Sequence, residues 1–167
     1  MAETVQQYIR RILGYVEGRN PLEVQQATPG RLARLIRGRS RAQLFRRPAP
    51  GKWSVAEILA HLAESEMVGG YRVRMILSAG GTPIQAFDQE KWAKVGNYAR
   101  RDPRQSLELF SALRRSNLLL LRSLKPRQWH MYGMHAERGK ETVARVATMF
   151  AGHDINHTRQ IESILRR

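Results

Sequence analysis

Val143, Val146, Phe150, His153, His157, Ile161 and Ile164 recur at intervals of three and four residues near the end of the chain. This is the rhythm of an amphipathic helix whose inner stripe must be covered by a partner. Two of those inner positions are histidines. Residues at i and i+4 lie one turn apart with side chains pointing the same way, so the imidazoles of His153 and His157 can converge on one ion. Without an ion, a buried pair leaves polar nitrogens to satisfy and two titrating groups side by side. The HxxxH spacing alone fits either a metal pair or partnered structural histidines.

A chain of 167 residues is long enough for one sizeable core, so residues 1–167 are expected to form a single domain. Cysteine is absent, which excludes disulfides, thiolate metal sites and cysteine nucleophiles. Any metal must be held by His, Asp or Glu. The N-terminal run has no long apolar segment, and Leu118 to Leu121 is too short to span a bilayer, so a soluble cytoplasmic protein with no membrane partner is expected.

The formal charge of +15 comes largely from arginine. Val24 to Ala56 contains no acid but carries Arg31, Arg34, Arg37, Arg39, Arg41, Arg46, Arg47 and Lys52. This basic region, 31–52, could track a phosphate backbone. No recognisable nucleic-acid module accompanies it, so a solvated basic surface is favoured over nucleic-acid binding.

Helical periodicity runs through residues 3–17 and stops at Asn20-Pro21. A second helical piece is expected from Thr28, a candidate N-cap with Pro29 in the first turn, through Leu32, Leu35 and Ile36. The segment 46–52, with two prolines and a glycine, reads as a connector. Ser54 and Glu57 then form a capping-box signature, with Trp53 as a hydrophobic staple, opening a helix whose stripe is Val55, Ile58, Leu59, Leu62, Val73 and Ile76. At 100° per residue, His61 lies about 60° from the centre of that stripe.

Residues 82–101 lack a clean period and read as a long crossover with a helical turn near Gln89–Ala93. Asp102-Pro103 caps a third main helix, which Lys125-Pro126 ends. Glu141 or Thr142 opens the last one. No strand is expected. The pattern predicts an all-α four-helix bundle, and the long connection between helices two and three allows an up-down-down-up order.

His61 with His153 and His157 would supply three nitrogens and leave positions open for water, an arrangement that zinc, nickel or iron(II) accepts. Three segments together, PGKWSVAEILAHLAESE at 50–66, FDQEKWA at 87–93 and GHDINHTRQIE at 152–162, resemble the DinB-like superfamily of metal-binding four-helix bundles across nearly the whole chain. The family motif is a histidine in a tryptophan-led second helix plus HxxxH in the last, and His61, His153 and His157 match it. The resemblance implies a left-handed up-down-down-up bundle, often a homodimer, that binds a divalent metal through those histidines. It also implies activity as a metal-dependent hydrolase or as a transferase using bacillithiol or mycothiol, a low-molecular-weight thiol cosubstrate. It implies no polymerase activity.

A divalent ion on neutral imidazoles lowers the pKa of a bound water or thiol, so the expected substrate is a small electrophilic molecule. Glu57 and Gln160 are candidates to hold a ligating imidazole from behind, although capping is favoured for Glu57. His135 is a candidate acid or base at the site mouth, and His130 a surface histidine. Arg72 could bind a substrate carboxylate, with an inter-helix ion pair the favoured reading. Glu64 and Glu66 could approach the metal, with a solvated face the favoured reading. A purely structural metal in a dimerising bundle is a further alternative.

Overall fold

Short polar side chains set where the helices begin. In this computed structural model, which describes residues 3–166, seven α-helices follow in order: α1 Val5–Gly14, α2 Pro21–Ile36, α3 Arg41–Phe45, α4 Val55–Ser78, α5 Gln89–Val95, α6 Pro103–Arg122 and α7 Val143–Leu165. Ser54 Oγ accepts from the Glu57 amide at 3.3 Å and Glu57 returns an acceptor to the Ser54 amide at 2.8 Å, the reciprocal cap expected for α4. Asp102 accepts from the amides of Arg104 and Gln105 to open α6, and Thr142 caps α7.

The bundle consists of α2, α4, α6 and α7. Leu107 and Phe110 of α6 pack with Ile58, Leu59 and Leu62 of α4, Glu66 meets Arg114 further along, and Val73 and Ile76 meet Leu121 beyond that. The two helices therefore run in the same direction. Gln25 meets Ala147, and Arg31 meets Glu162, so α2 and α7 are also parallel. Phe150 sits against Gly69, while Val143 and Val146 join Val73 and Ile76, which makes α7 antiparallel to α4. The order is up-down-down-up, and residues 79–102 are the crossover that permits it.

Three expectations are corrected. The first bundle helix is Pro21–Ile36 rather than the helix within residues 3–17, and α1 packs against α7 from outside. Asn20 caps α2 through the Leu22 amide, so Thr28 is not a cap. Its hydroxyl donates to the Val24 carbonyl within the helix, and Pro29 lies inside α2. Finally, the chain does form strands: β1 Pro83–Ile84, β2 Tyr132–His135 and β3 Gly139–Thr142. β1 pairs parallel with β2, and β2 antiparallel with β3. Elements this short carry too few residues for a period-two signal.

The core is divided. Leu32, Ile58, Leu62, Phe110 and Ile161 anchor one apolar cluster, and Val73, Ile76, Leu121, Val143 and Val146 the other. Between them lies a buried polar layer in which Arg114 bonds Asp154 at 2.5 Å and Glu66 at 2.7 Å, and Asn117 bonds Glu66 at 2.8 Å. Glu66 is thus buried, not on a solvated face. Glu64 is likewise engaged, by Tyr98 Oη and Arg101, both at 2.6 Å.

Candidate metal centre

His61 lies two turns into α4, whose start is fixed by the Ser54–Glu57 cap, and its ring packs against Trp53 with centroids 4.9 Å apart. His153 and His157 face it from α7. The three rings bring Nε2 atoms together: His61 to His153 is 3.0 Å and His153 to His157 is 3.1 Å. One ligand atom from each lies within 4.8 Å of the others, the only such His, Asp or Glu cluster among the described residues.

The donor chemistry fits a cation. His157 Nδ1–H donates to Gln160 Oε1 at 3.0 Å, which assigns the hydrogen of the neutral ring to Nδ1 and leaves a lone pair on Nε2. Burial, and then the neighbouring imidazoles, push the pKa values of His61 and His153 well below the usual value. Burial takes His157 down to about 4, with the Gln160 bond opposing the shift. All three are therefore neutral near pH 7, with lone pairs available. An ion with metal–nitrogen bonds of about 2.0–2.1 Å holds neighbouring nitrogens roughly 2.8–3.0 Å apart in octahedral geometry and roughly 3.3–3.4 Å apart in tetrahedral geometry. The two observed spacings lie at or just above the octahedral value and short of the tetrahedral one.

The triad opens onto a cleft of about 700 Å³. Tyr8 and Arg11 of α1 form one side, Phe87 and Glu90 another, and Arg72, His135 and Arg138 also line it. His135 is buried on β2, where its Nδ1 accepts from the Glu137 amide at 3.1 Å. Arg72 does not form the expected inter-helix ion pair. Its Nη2 donates to the Gln85 carbonyl at 2.6 Å, and its guanidinium lies 5.7 Å from the Phe87 ring centroid. Glu57 is directed away from the triad, with its carboxylate on Arg47 and the Ser54 amide. His130 is exposed.

Sequence reasoning gave no role to Ser65, whose hydroxyl is 3.4 Å from His61 Nε2, nor to Arg138. Ser65 follows His61 by four residues, and the i, i+4 rule could have located it. Arg138 reaches the cleft through the hairpin of β2 and β3, which has no counterpart in the helical reading.

The sequence matches the DinB superfamily over residues 25–161. The chain belongs to the DinB superfamily. Among its DinB relatives are proteins named as candidate metal-dependent hydrolases. One from Oceanobacillus iheyensis is 28% identical over 117 residues, covering 70% of this chain and 67% of the relative. One from Bacillus mycoides is 27% identical over 139 residues, covering 83% and 80%. YfiT of Bacillus subtilis is 26% identical over 148 residues, covering 87% and 83%. A solved structure of YfiT, described as an unusual four-helix bundle, superposes with a TM-score of 0.83 at 22% identity. That alignment covers 99% of this chain and 90% of the YfiT chain. The shared topology is the up-down-down-up DinB bundle derived above. No described helix is long and apolar enough to cross a membrane.

Proposed function

We propose that this DinB protein is a metal-dependent hydrolase of small electrophilic molecules, with His61, His153 and His157 as the ligands of one divalent ion. The observation that carries the reading is the convergence of three neutral Nε2 atoms, two on buried rings and one on a half-buried ring, at the wall of a cleft large enough for a small substrate. The relatives' names point the same way. A zinc, nickel or iron(II) ion in that donor set supplies Lewis acidity, lowering the pKa of a water or thiol beside it.

The chain's own residues prepare the place for that chemistry. Gln160 fixes the tautomer of His157, Trp53 and Ser65 hold the ring of His61, and α1 screens the cleft from solvent on one side.

Transfer to a low-molecular-weight thiol is the second reading. Its support is that the cleft has volume for a cosubstrate beside the electrophile, while the chain, lacking cysteine, must take any sulfur nucleophile from outside. The test is turnover of a panel of esters, amides and alkyl halides by protein loaded with each metal in turn. Hydrolysis requires turnover without thiol, abolished by chelation and restored by the ion. Turnover only with added small thiol selects the transferase, and metal-independent turnover contradicts both readings.

A further inference from the structure

Arg72 is only 7% exposed, yet among the described residues it has no carboxylate partner. Its single hydrogen bond among the described residues goes to the Gln85 carbonyl, just beyond β1, and the remaining guanidinium donors, which are not fully buried, line the cleft. A guanidinium on a largely buried side chain without a counter-ion is costly, because burial removes part of its hydration and only one carbonyl bond replaces it. Burial, followed by repulsion from Arg138, brings its pKa down to about 10, and Glu141 opposes this only in part. Glu141 itself is taken up by a two-point pair with Arg138, at 2.8 Å for each bond.

His135 presents a sharper deficit. It is 3% exposed, its Nδ1 accepts the Glu137 amide, and its Nε2 is buried with no hydrogen-bond partner. A neutral ring that accepts at Nδ1 carries its hydrogen on Nε2, so the unpartnered group is a donor. β-sheet pairing places the two deficits together: Ile84 pairs with His135, and Gln85, the next residue, anchors Arg72. Both side chains line the cleft that the histidine triad opens onto.

From these two largely buried side chains with unused donors on one wall of the cleft we infer that Arg72 and His135 form an anion subsite that holds the carboxylate of the substrate or cosubstrate. The guanidinium fork matches a planar carboxylate with two parallel hydrogen bonds, and the His135 Nε2–H supplies another. Phe87, stacked near Arg72 and 4.9 Å from the Trp92 ring, gives the subsite an apolar side. The ligand is therefore an organic acid with an apolar body next to its carboxylate. The inference rests on the reading of the cleft as the active site.

The test uses benzoate as the probe and its neutral isostere benzamide as the control, on the full chain with metal removed, so that the triad offers no charge. Binding is followed by the His135 side-chain nitrogen resonances and by calorimetry. Saturable benzoate binding that shifts Nε2 of His135, with benzamide at least tenfold weaker, is expected. Arg72→Met lowers benzoate affinity by about tenfold or more, the loss expected when charge-assisted hydrogen bonds are removed. Arg72→Lys, which keeps the charge but not the fork, falls in between and decides the matter if the methionine variant does not fold.

Equal binding of benzoate and benzamide, or unchanged benzoate affinity in the Arg72 variants, overturns the subsite. Metal content measured on the same wild-type and Arg72→Lys proteins separates the two claims. Arg72-dependent benzoate binding in a chain that takes up no metal leaves the subsite standing and removes the metal-dependent reading. Stoichiometric metal without selective benzoate binding does the reverse.

Discussion

Arg114 donates to the main-chain carbonyl of Gln25 at 2.9 Å, the carbonyl that Pro29, four residues later and lacking an N–H, leaves without its helical donor. A proline in the interior of a bundle helix is thereby tolerated, and the same guanidinium joins Glu66 and Asp154 in the layer between the two apolar clusters.

Arg114→Met should destabilise the protein by about 3–5 kcal/mol, because it leaves two buried carboxylates unpaired and the Gln25 carbonyl unsatisfied. Restoring a donor at position 29 isolates the last of these effects. Pro29→Ala should be more favourable by about 1 kcal/mol in the Arg114→Met background than in the wild type, measured as the coupling in a denaturant double-mutant cycle. Full additivity would count against the Gln25 link.

Gly152 marks the closest approach of α1 to α7: a Cβ there would overlap the Ile12 carbonyl oxygen. Because that atom is main chain, relief requires α1 to move, and α1 carries Tyr8 and Arg11 along the cleft. Gly152→Ala should cost about 1–3 kcal/mol in thermal melts. Amide exchange should quicken in α1 and stay slow in α4. Uniform loss across all helices would contradict this local account.

Ser54, Asp102 and the spacing of apolar residues in α4, α6 and α7 made most of the bundle legible, because caps and periodicity are local signals. His61, His153 and His157 were legible for the same reason, each sitting on or beside an apolar stripe. What escaped was set by tertiary partners. Thr28-Pro29 has the local form of a helix start, and only Arg114, 85 positions beyond Pro29, shows why the helix passes through it. Glu66 reads as a surface residue until Arg114 and Asn117 are placed beside it. β1 and β2 pair across the whole of α6, beyond the reach of any window.

Glu57 supplies a pH dependence. Burial opposes its ionisation, but the Arg47 guanidinium and the Ser54 amide outweigh that, holding its carboxyl below the reference value of 4.5. A carboxylate depressed on folding stabilises the fold above its unfolded pKa, and this contribution disappears as pH falls through the folded one. Arg47 is half exposed, so solvent screens the pair. Glu57→Gln should cost about 1 kcal/mol near neutral pH and converge with the wild type once pH has fallen below the folded pKa, followed by urea midpoints from neutral pH into the acid range. A constant offset at every pH would show that the charge contributes nothing.

Gln160 should act on the ion through His157. Removing the acceptor on Nδ1 frees the ring to rotate and to change tautomer, so Gln160→Ala should weaken metal affinity by about 10–100-fold in chelator competition. Gln160→Glu, retaining an acceptor, should stay within that loss. Equal affinity in the wild type and the alanine variant would mean that the 3.0 Å bond is incidental.

The central claim is that His61, His153 and His157 hold one divalent ion. Elemental analysis of protein purified without a nickel column, then incubated with zinc, nickel or iron(II) and desalted, measures it directly. One equivalent of a divalent metal per chain is expected, falling to background in His61→Ala and His153→Ala variants that still fold. No retained metal in the wild type, or the same content in the variants, would contradict the account.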